Sequence, residues 1–154
     1  MAKITQIFVL LFCCLQFACV EGQFKLGIEQ THIYLPLLEA QKVAVVGNQT
    51  STLGNTHLVD SLISLGVDVV KVFSPEHGFR GTADAGAKVF DGIDKKSGLP
   101  IISLYGQNKK PSSKQLDDVD IILFDIQDVG ARFYTYISTL HYVMESAAEN
   151  EVSV

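Results

Sequence analysis

Apolar residues along this chain fall into short dense runs, separated by stretches with a helical period. Residues 42–46 (KVAVV) form a β-branched run bounded by Gly47 and Asn48, which predicts a buried strand. From Thr56 to Leu65, the positions Leu58, Leu62, Ile63 and Leu65 share one helical face. Asn55 or Thr56 is placed to cap that helix, and Gly66 to end it. Residues 67–73 (VDVVKVF), 99–104 and 120–124 (DIILF) predict three more strands, with a helical turn at 112–116 joining the last two. Ile137, Leu140, Met144, Ala147 and Ala148 space an amphipathic stripe along a helix running to about residue 150. Residues 24–40 predict a helical piece ahead of the first strand, and residues 151–154 read as the opening of a fifth strand.

Strands that are apolar throughout and alternate with helices define an α/β fold, a parallel sheet with flanking helices on both faces. A sheet that stops as its next strand opens is incomplete. Residues 23–154 are therefore expected to form an α/β subdomain that is cut short.

The first 22 residues stand apart from this pattern and read as a secretory signal peptide. Lys3 supplies the positive start, residues 7–17 the apolar stretch, and Val20 and Gly22 the small-residue positions before cleavage at Gln23. A lipoprotein signal acylated at Cys19, which would tie the protein to a membrane, is a second reading. Phe17 makes its recognition sequence a poor one. An uncleaved anchor is a third, but the run is short for a span of about 20 apolar residues. Cys13, Cys14 and Cys19 all lie in this leader, so the mature chain is expected to have no disulfide, thiolate zinc site or cysteine nucleophile. The expectation is an exported protein, periplasmic or extracellular.

Composition narrows the function classes. Hydrophobic residues make up 47% and charged residues 19%, which excludes a disordered chain. Twelve Lys and Arg against 17 Asp and Glu give a net charge of −5, which argues against nucleic acid as partner.

Ligands of open α/β sheets bind beyond the carboxyl ends of the strands, and here those ends are polar. The first delivers Asn48, Gln49 and Thr50; the second Glu76 and His77, then Arg80, Asp84 and Lys88; the third Tyr105; the fourth Asp125, Gln127 and Asp128, then Arg132, Tyr134 and Tyr136. Acids, amides, guanidinium groups and phenols on one rim suit a polar ligand such as a sugar. Each residue also has a structural reading. Glu76 can pair with Arg80, Asp125 can cap a helix or pair with Arg132, and the tyrosines can pack. Asn48-Gln49-Thr50 is formally a glycosylation sequon. Gly78, Gly81 and Gly86 match neither a dinucleotide fingerprint nor a Walker loop, and no metal-ligand spacing accompanies His77. No cofactor or metal is expected.

Four segments in order, VAVVGNQTS (43–51), FSPEHGFRGTADAGAKV (73–89), SGLPIISLYG (97–106) with KPSSKQL after it, and DIILFDIQDVGARFYTYISTL (120–140), resemble the bacterial exo-β-N-acetylmuramidase family of the NamZ type. The resemblance covers nearly all of the chain after the leader. It implies a Rossmann-like N-terminal subdomain joined to a C-terminal one, the latter missing here. It also implies release of terminal N-acetylmuramic acid from the non-reducing ends of peptidoglycan-derived muramyl saccharides.

Glycoside hydrolysis needs a proton for the leaving oxygen and support for an oxocarbenium-like transition state. Glu76, flanked by Phe73, Pro75 and Phe79, is the candidate acid, because partial desolvation raises a carboxyl pKa. Asp125 or Asp128 is the candidate second carboxylate, and His77 the group orienting Glu76. Arg80 or Arg132 suits the lactyl carboxylate. Asn48, Gln49, Asp84 and Gln127 are candidates for sugar hydroxyls, and Tyr105 and Tyr134 for sugar faces. A non-catalytic sugar-binding envelope protein would use the same rim. A nucleotide-binding Rossmann domain is the other rival, disfavoured by the missing glycine fingerprint.

Overall fold

The computed structural model describes residues 24–81 and 91–154. Residues 1–23, where a leader is expected, and residues 82–90, with Asp84, Gly86 and Lys88, lie outside the described residues. The chain enters through short helical turns, among them α1 (Thr31–Tyr34), and continues into β1 (Lys42–Gly47). There follow β2 (Thr52–Leu53), β3 (Thr56–His57), α2 (Leu58–Ser64) and β4 (Asp68–Ser74). Then come β5 (Gly92–Ile93), β6 (Pro100–Ser103), α3 (Ser113–Leu116), β7 (Ile121–Asp125) and α4 (Tyr136–Glu149).

One five-stranded sheet runs in the order β5-β6-β4-β1-β7, parallel except for the short edge strand β5. The long strands thus lie third, second, first, fourth. The chain builds outward from β1 to one side, then returns to its other side. That reversal is the topological switch point, where open α/β sheets take their ligands. Ser153 bridges Ile121 in parallel, and the Ile122 amide donates to the Ser153 carbonyl at 2.8 Å, so the strand opening expected at 151–154 lies beside β7.

Each face of the sheet is covered. Val43 and Val45 of β1 point to one side and pack with Leu58, Val59 and Leu62 of α2 and with Ile28 and Leu38. Ala44 and Val46 point to the other and pack with Phe73, Leu116, Ile122 and, from α4, Val143 and Ala147. Full burial of each Val, Leu, Ile or Phe is worth about 1.5–3 kcal/mol. The two layers explain why β1 is apolar at every position instead of every second one.

Two local expectations are corrected. The helix after β1 begins at Leu58, not Thr56, because residues 52–57 fold into a small antiparallel hairpin around Gly54, whose φ is +60°. Its cap is therefore His57, whose side chain accepts the Val59 amide, and not Asn55 or Thr56. The buried face of α4 is Tyr136, Thr139, Val143, Ser146 and Ala147, while Ile137, Met144 and Ala148 face outward. Small and hydroxyl residues let the helix approach the sheet. Their polar atoms are satisfied locally: Ser146 Oγ donates to the Pro111 carbonyl at 2.6 Å, and Thr139 Oγ1 to that of Thr135 at 3.3 Å. A pattern that counts only apolar side chains is rotated from the buried face and meets it at Ala147, with Leu140 half-buried.

Candidate active site at the switch point

The carboxyl ends of β1 and β7 open a cleft of about 550 Å³ at the switch point. Its walls are residues 48–50 from β1, His77 from the turn after β4, residues 127–129 from β7, and Tyr134 and Tyr136 ahead of α4. Of the residues expected to bind sugar, Asn48, Gln49, Gln127, Asp128 and Tyr134 meet there.

The β1 side is rigidly built. Asn48 Oδ1 accepts the Thr50 amide (2.9 Å) and hydroxyl (2.7 Å), closing an Asx turn. Ser51 Oγ accepts the Asn48 amide at 3.1 Å and donates to the Asp125 carbonyl at 2.5 Å, tying β1 to β7. Gly47 is required beneath this knot, since a Cβ there would stand 2.9 Å from Ser51 Oγ. Asn48 is 1% exposed, so the sequon is closed in the fold, and the residue serves mainly as a strut. Gln49 stays exposed, with its stem packed on Gly81.

After β4, the Gly78 amide donates to the Pro75 carbonyl at 3.3 Å, so residues 75–78 form a β-turn with His77 third. His77 has φ +72°, a left-handed conformation that turns reserve for Gly or Asn. A non-glycine residue there costs about 1–2 kcal/mol. Such strain persists where the surroundings impose it, and it gathers at functional sites. Here the left-handed residue is the one whose imidazole lines the cleft. Glu76 beside it is half-buried, and the Tyr105 phenol donates to Glu76 Oε1 at 3.4 Å. Burial raises the Tyr136 phenol above its ordinary range; a hydrogen bond with Asn48 opposes this, and the charges of Tyr134 and Glu76 add to it. Glu76 itself is not one of the cleft's lining residues; it stands next to His77, which is.

Not every expected residue joins this cleft. Asp125 continues the alternation of Leu123 and turns to the opposite face of β7, where it lines an apolar pocket of about 290 Å³ with Ile28, Tyr34 and Leu58. Burial raises its carboxyl above the usual range, and the Ser51 hydroxyl partly offsets this. Asp128, not Asp125, is therefore the β7 carboxylate in the cleft wall. Arg80 is already engaged. Its guanidinium forks onto Asp60 and Asp94 at 2.7–3.1 Å, and neither Glu76 nor an open ligand position receives it. Arg132 is solvent-exposed on the loop before Tyr134.

His57, which sequence reasoning missed, lies beneath the β1 wall. Its Nε2 donates to the Asn48 carbonyl at 2.9 Å while Nδ1 accepts the Val59 amide, so the geometry requires the neutral ring. Burial lowers its pKa; the Asn48 hydrogen bond opposes this and the Arg80 charge reinforces it. A histidine held neutral in the fold contributes stability that is full above its unfolded pKa of about 6.5 and falls as pH drops below that value. The urea midpoint of the protein is expected to fall between about pH 7.5 and about pH 5. His57→Gln should flatten that dependence; an unchanged slope would remove His57 as its source.

The fold and cleft define a doubly wound, Rossmann-like α/β domain with a polar switch-point site that carries one strained histidine beside a carboxylic acid. Residues 43–154 match the family described as Exo-beta-N-acetylmuramidase NamZ, N-terminal, and the chain belongs to that family. It is 45% identical over 123 residues, 77% of its length, to the peptidoglycan beta-N-acetylmuramidase NamZ of Bacillus subtilis, and spans 29% of that protein. Crystal structures of two DUF1343 family proteins from Bacteroides fragilis superpose with TM-scores of 0.69 and 0.70 at 43% and 37% identity. They match 82% and 79% of this chain, which spans 32% and 30% of theirs.

Proposed function

We propose that this chain is the acid-bearing N-terminal part of an exported exo-β-N-acetylmuramidase, which frees terminal N-acetylmuramic acid from the non-reducing ends of peptidoglycan fragments. The observation that carries the reading is the left-handed turn whose His77 lines the switch-point cleft, with Glu76 next to it, in a chain 45% identical to a peptidoglycan muramidase. Glu76 gives its proton to the leaving glycosidic oxygen as the C1–O bond breaks. The cationic centre at C1 is met either by water, which gives its proton to Asp128, or by the sugar's own acetamido oxygen; in the second case water then attacks C1, breaks that new C1–O bond and returns a proton to Glu76. Tyr105 holds one oxygen of Glu76, and Asp128 orients the attacking group. Gln49 and Gln127 meet hydroxyls, and Tyr134 offers a sugar face. Export by the leader fits a substrate outside the cytoplasm.

The test uses a polypeptide of the relatives' full length that carries residues 24–154 of this chain. It is incubated with a disaccharide bearing non-reducing N-acetylmuramic acid, and free sugar is detected by mass spectrometry. Release supports the reading. A folded protein that binds the disaccharide without releasing sugar would be a saccharide-binding protein instead.

The lactyl carboxylate distinguishes muramic acid from glucosamine, and Arg132 is an exposed cation on the loop between the cleft residues Val129 and Tyr134. A charge-assisted pair is worth about 1.5–3 kcal/mol, so Arg132→Ala should raise KM roughly 10–100-fold for the muramyl substrate. Steady-state kinetics on muramyl and glucosaminyl glycosides check this; equal effects on both would remove Arg132 from carboxylate recognition.

A further inference from the structure

Arg80 was expected to face the substrate, and the structure gives it different work. Its Nε and Nη2 donate to Asp94 Oδ1 and Oδ2 at 2.8 and 2.7 Å. Nη1 and Nη2 donate to Asp60 Oδ2 and Oδ1 at 3.1 and 2.9 Å. The acceptors come from two separate elements, Asp60 from α2 and Asp94 from the turn between β5 and β6. Each is itself held. Lys96 Nζ reaches Asp60 Oδ2 at 2.8 Å, and the Ser97 amide and hydroxyl donate to Asp94 Oδ2 at 2.9 and 2.6 Å. Two carboxylates and two cations make a neutral cluster, with no positive charge left over for an anionic sugar.

The same residue reaches toward the cleft from below. The guanidinium lies 4.8 Å from the Phe79 ring centre, and Phe79 meets His57 edge-on at 4.4 Å. His57 holds the Asn48 carbonyl at the end of β1. Between β4 and Arg80 lie the two left-handed residues His77 and Gly78, and a third, Gly81, follows. The two glycines adopt positive φ freely, but His77 does not, and a strained non-glycine residue stays in place only when its surroundings hold it. Arg80 is clamped at four points, three residues past His77, and it arrests the segment from the far side.

We propose that Arg80 is a positioning residue: its clamp on Asp60 and Asp94 holds the Glu76–His77 turn in the conformation that places His77 in the cleft wall with Glu76 beside it. The proposal rests on the muramidase reading for its kinetic consequences and on geometry alone for its structural ones. A planar five-donor fork grips two carboxylates bidentately at once, which the three donors of an ammonium group cannot do. Lysine at position 80 keeps the charge and loses the clamp.

The experiment compares Arg80→Lys, Asp94→Asn and the double variant with the unaltered full-length polypeptide. Turnover of the muramyl disaccharide and the ring resonances of His77 are both followed. For each single variant we expect kcat to fall about 10–100-fold with KM within about threefold, the span reached when reacting groups are misplaced. The double variant should be no worse than the singles, because both remove one clamp. The His77 ring resonances should shift in all three. Asp94→Asn separates the alternatives: if Arg80 bound the sugar carboxylate, loosening it from Asp94 would lower KM, and that result would overturn the proposal. Unmoved His77 resonances in folded variants would overturn it too, whether or not the protein turns over substrate. Absence of release by the unaltered protein would instead defeat the muramidase reading, with the resonances still deciding the clamp.

Discussion

Glu76→Gln in the full-length polypeptide is expected to reduce kcat on the muramyl disaccharide by about 10²–10⁴-fold, the usual contribution of a general acid. KM should stay close to its starting value. The amide has the shape of the acid and can still accept from the Tyr105 phenol, which now donates to Glu76 Oε1 at 3.4 Å. What it cannot do is deliver a proton. The deficit should therefore shrink on an aryl muramide whose leaving oxygen departs as a stable phenolate, since such a group needs little protonation. Steady-state kinetics on the two substrates check both parts. An equal loss on both would assign Glu76 a role other than acid, and near-normal turnover on the disaccharide would remove it from the mechanism.

Phe73→Ala is expected to cost about 3–5 kcal/mol, the range for emptying a large aromatic site in a packed core. Phe73 is fully buried in β4, among Ala44, Val46, Ile122 and Val143. Its neighbours belong to β1, β7 and α4, regular elements that collapse poorly into a void. Against a total stability of about 5–15 kcal/mol, the loss is large. Urea unfolding should show a much lower midpoint for Phe73→Ala. Phe73→Leu should stay nearer the unaltered protein, because it keeps most of the volume. Equal midpoints for the two variants would mean that this layer is less tightly packed than the structure shows. The position also links packing to the site, since Phe73 stands near the end of β4, three residues before Glu76 in the turn that follows.

The main architecture was readable because burial on both faces leaves a direct mark. Apolar runs at β1 and β7, and in β4 on either side of Lys71, mean two covered faces, and two covered faces with helices between mean a parallel sheet. The strand ends were equally legible, since a switch from Val and Ile to Gly, Asn and Pro marks where pairing stops. Less legible were the positions where polar residues behave as core. Ser146 and Thr139 lie buried because Pro111 and Thr135 carbonyls take their hydroxyl protons, and no hydrophobic count registers that. His57 was passed over for the same reason. It caps a helix, seats an aromatic ring and holds a strand end at once, with partners at positions 48, 59 and 79.

The chain's own sequence determined the class of fold, the four main strands and which segments reach the rim, because those follow from periodicity and from backbone preferences of single residues. It also marked the turn Pro75-Glu76-His77-Gly78 as a place of interest. The tertiary structure decided what the rim residues do. Side chains at β7 alternate faces, so one register step takes Asp125 out of the cleft. Asp128, beyond the strand end, is left in its wall. Arg80 meets Asp60 and Asp94, respectively 20 and 14 residues away in sequence, and its charge is consumed there. Charge pairing and facing direction depend on distances through space, and a linear sequence records only distances along the chain.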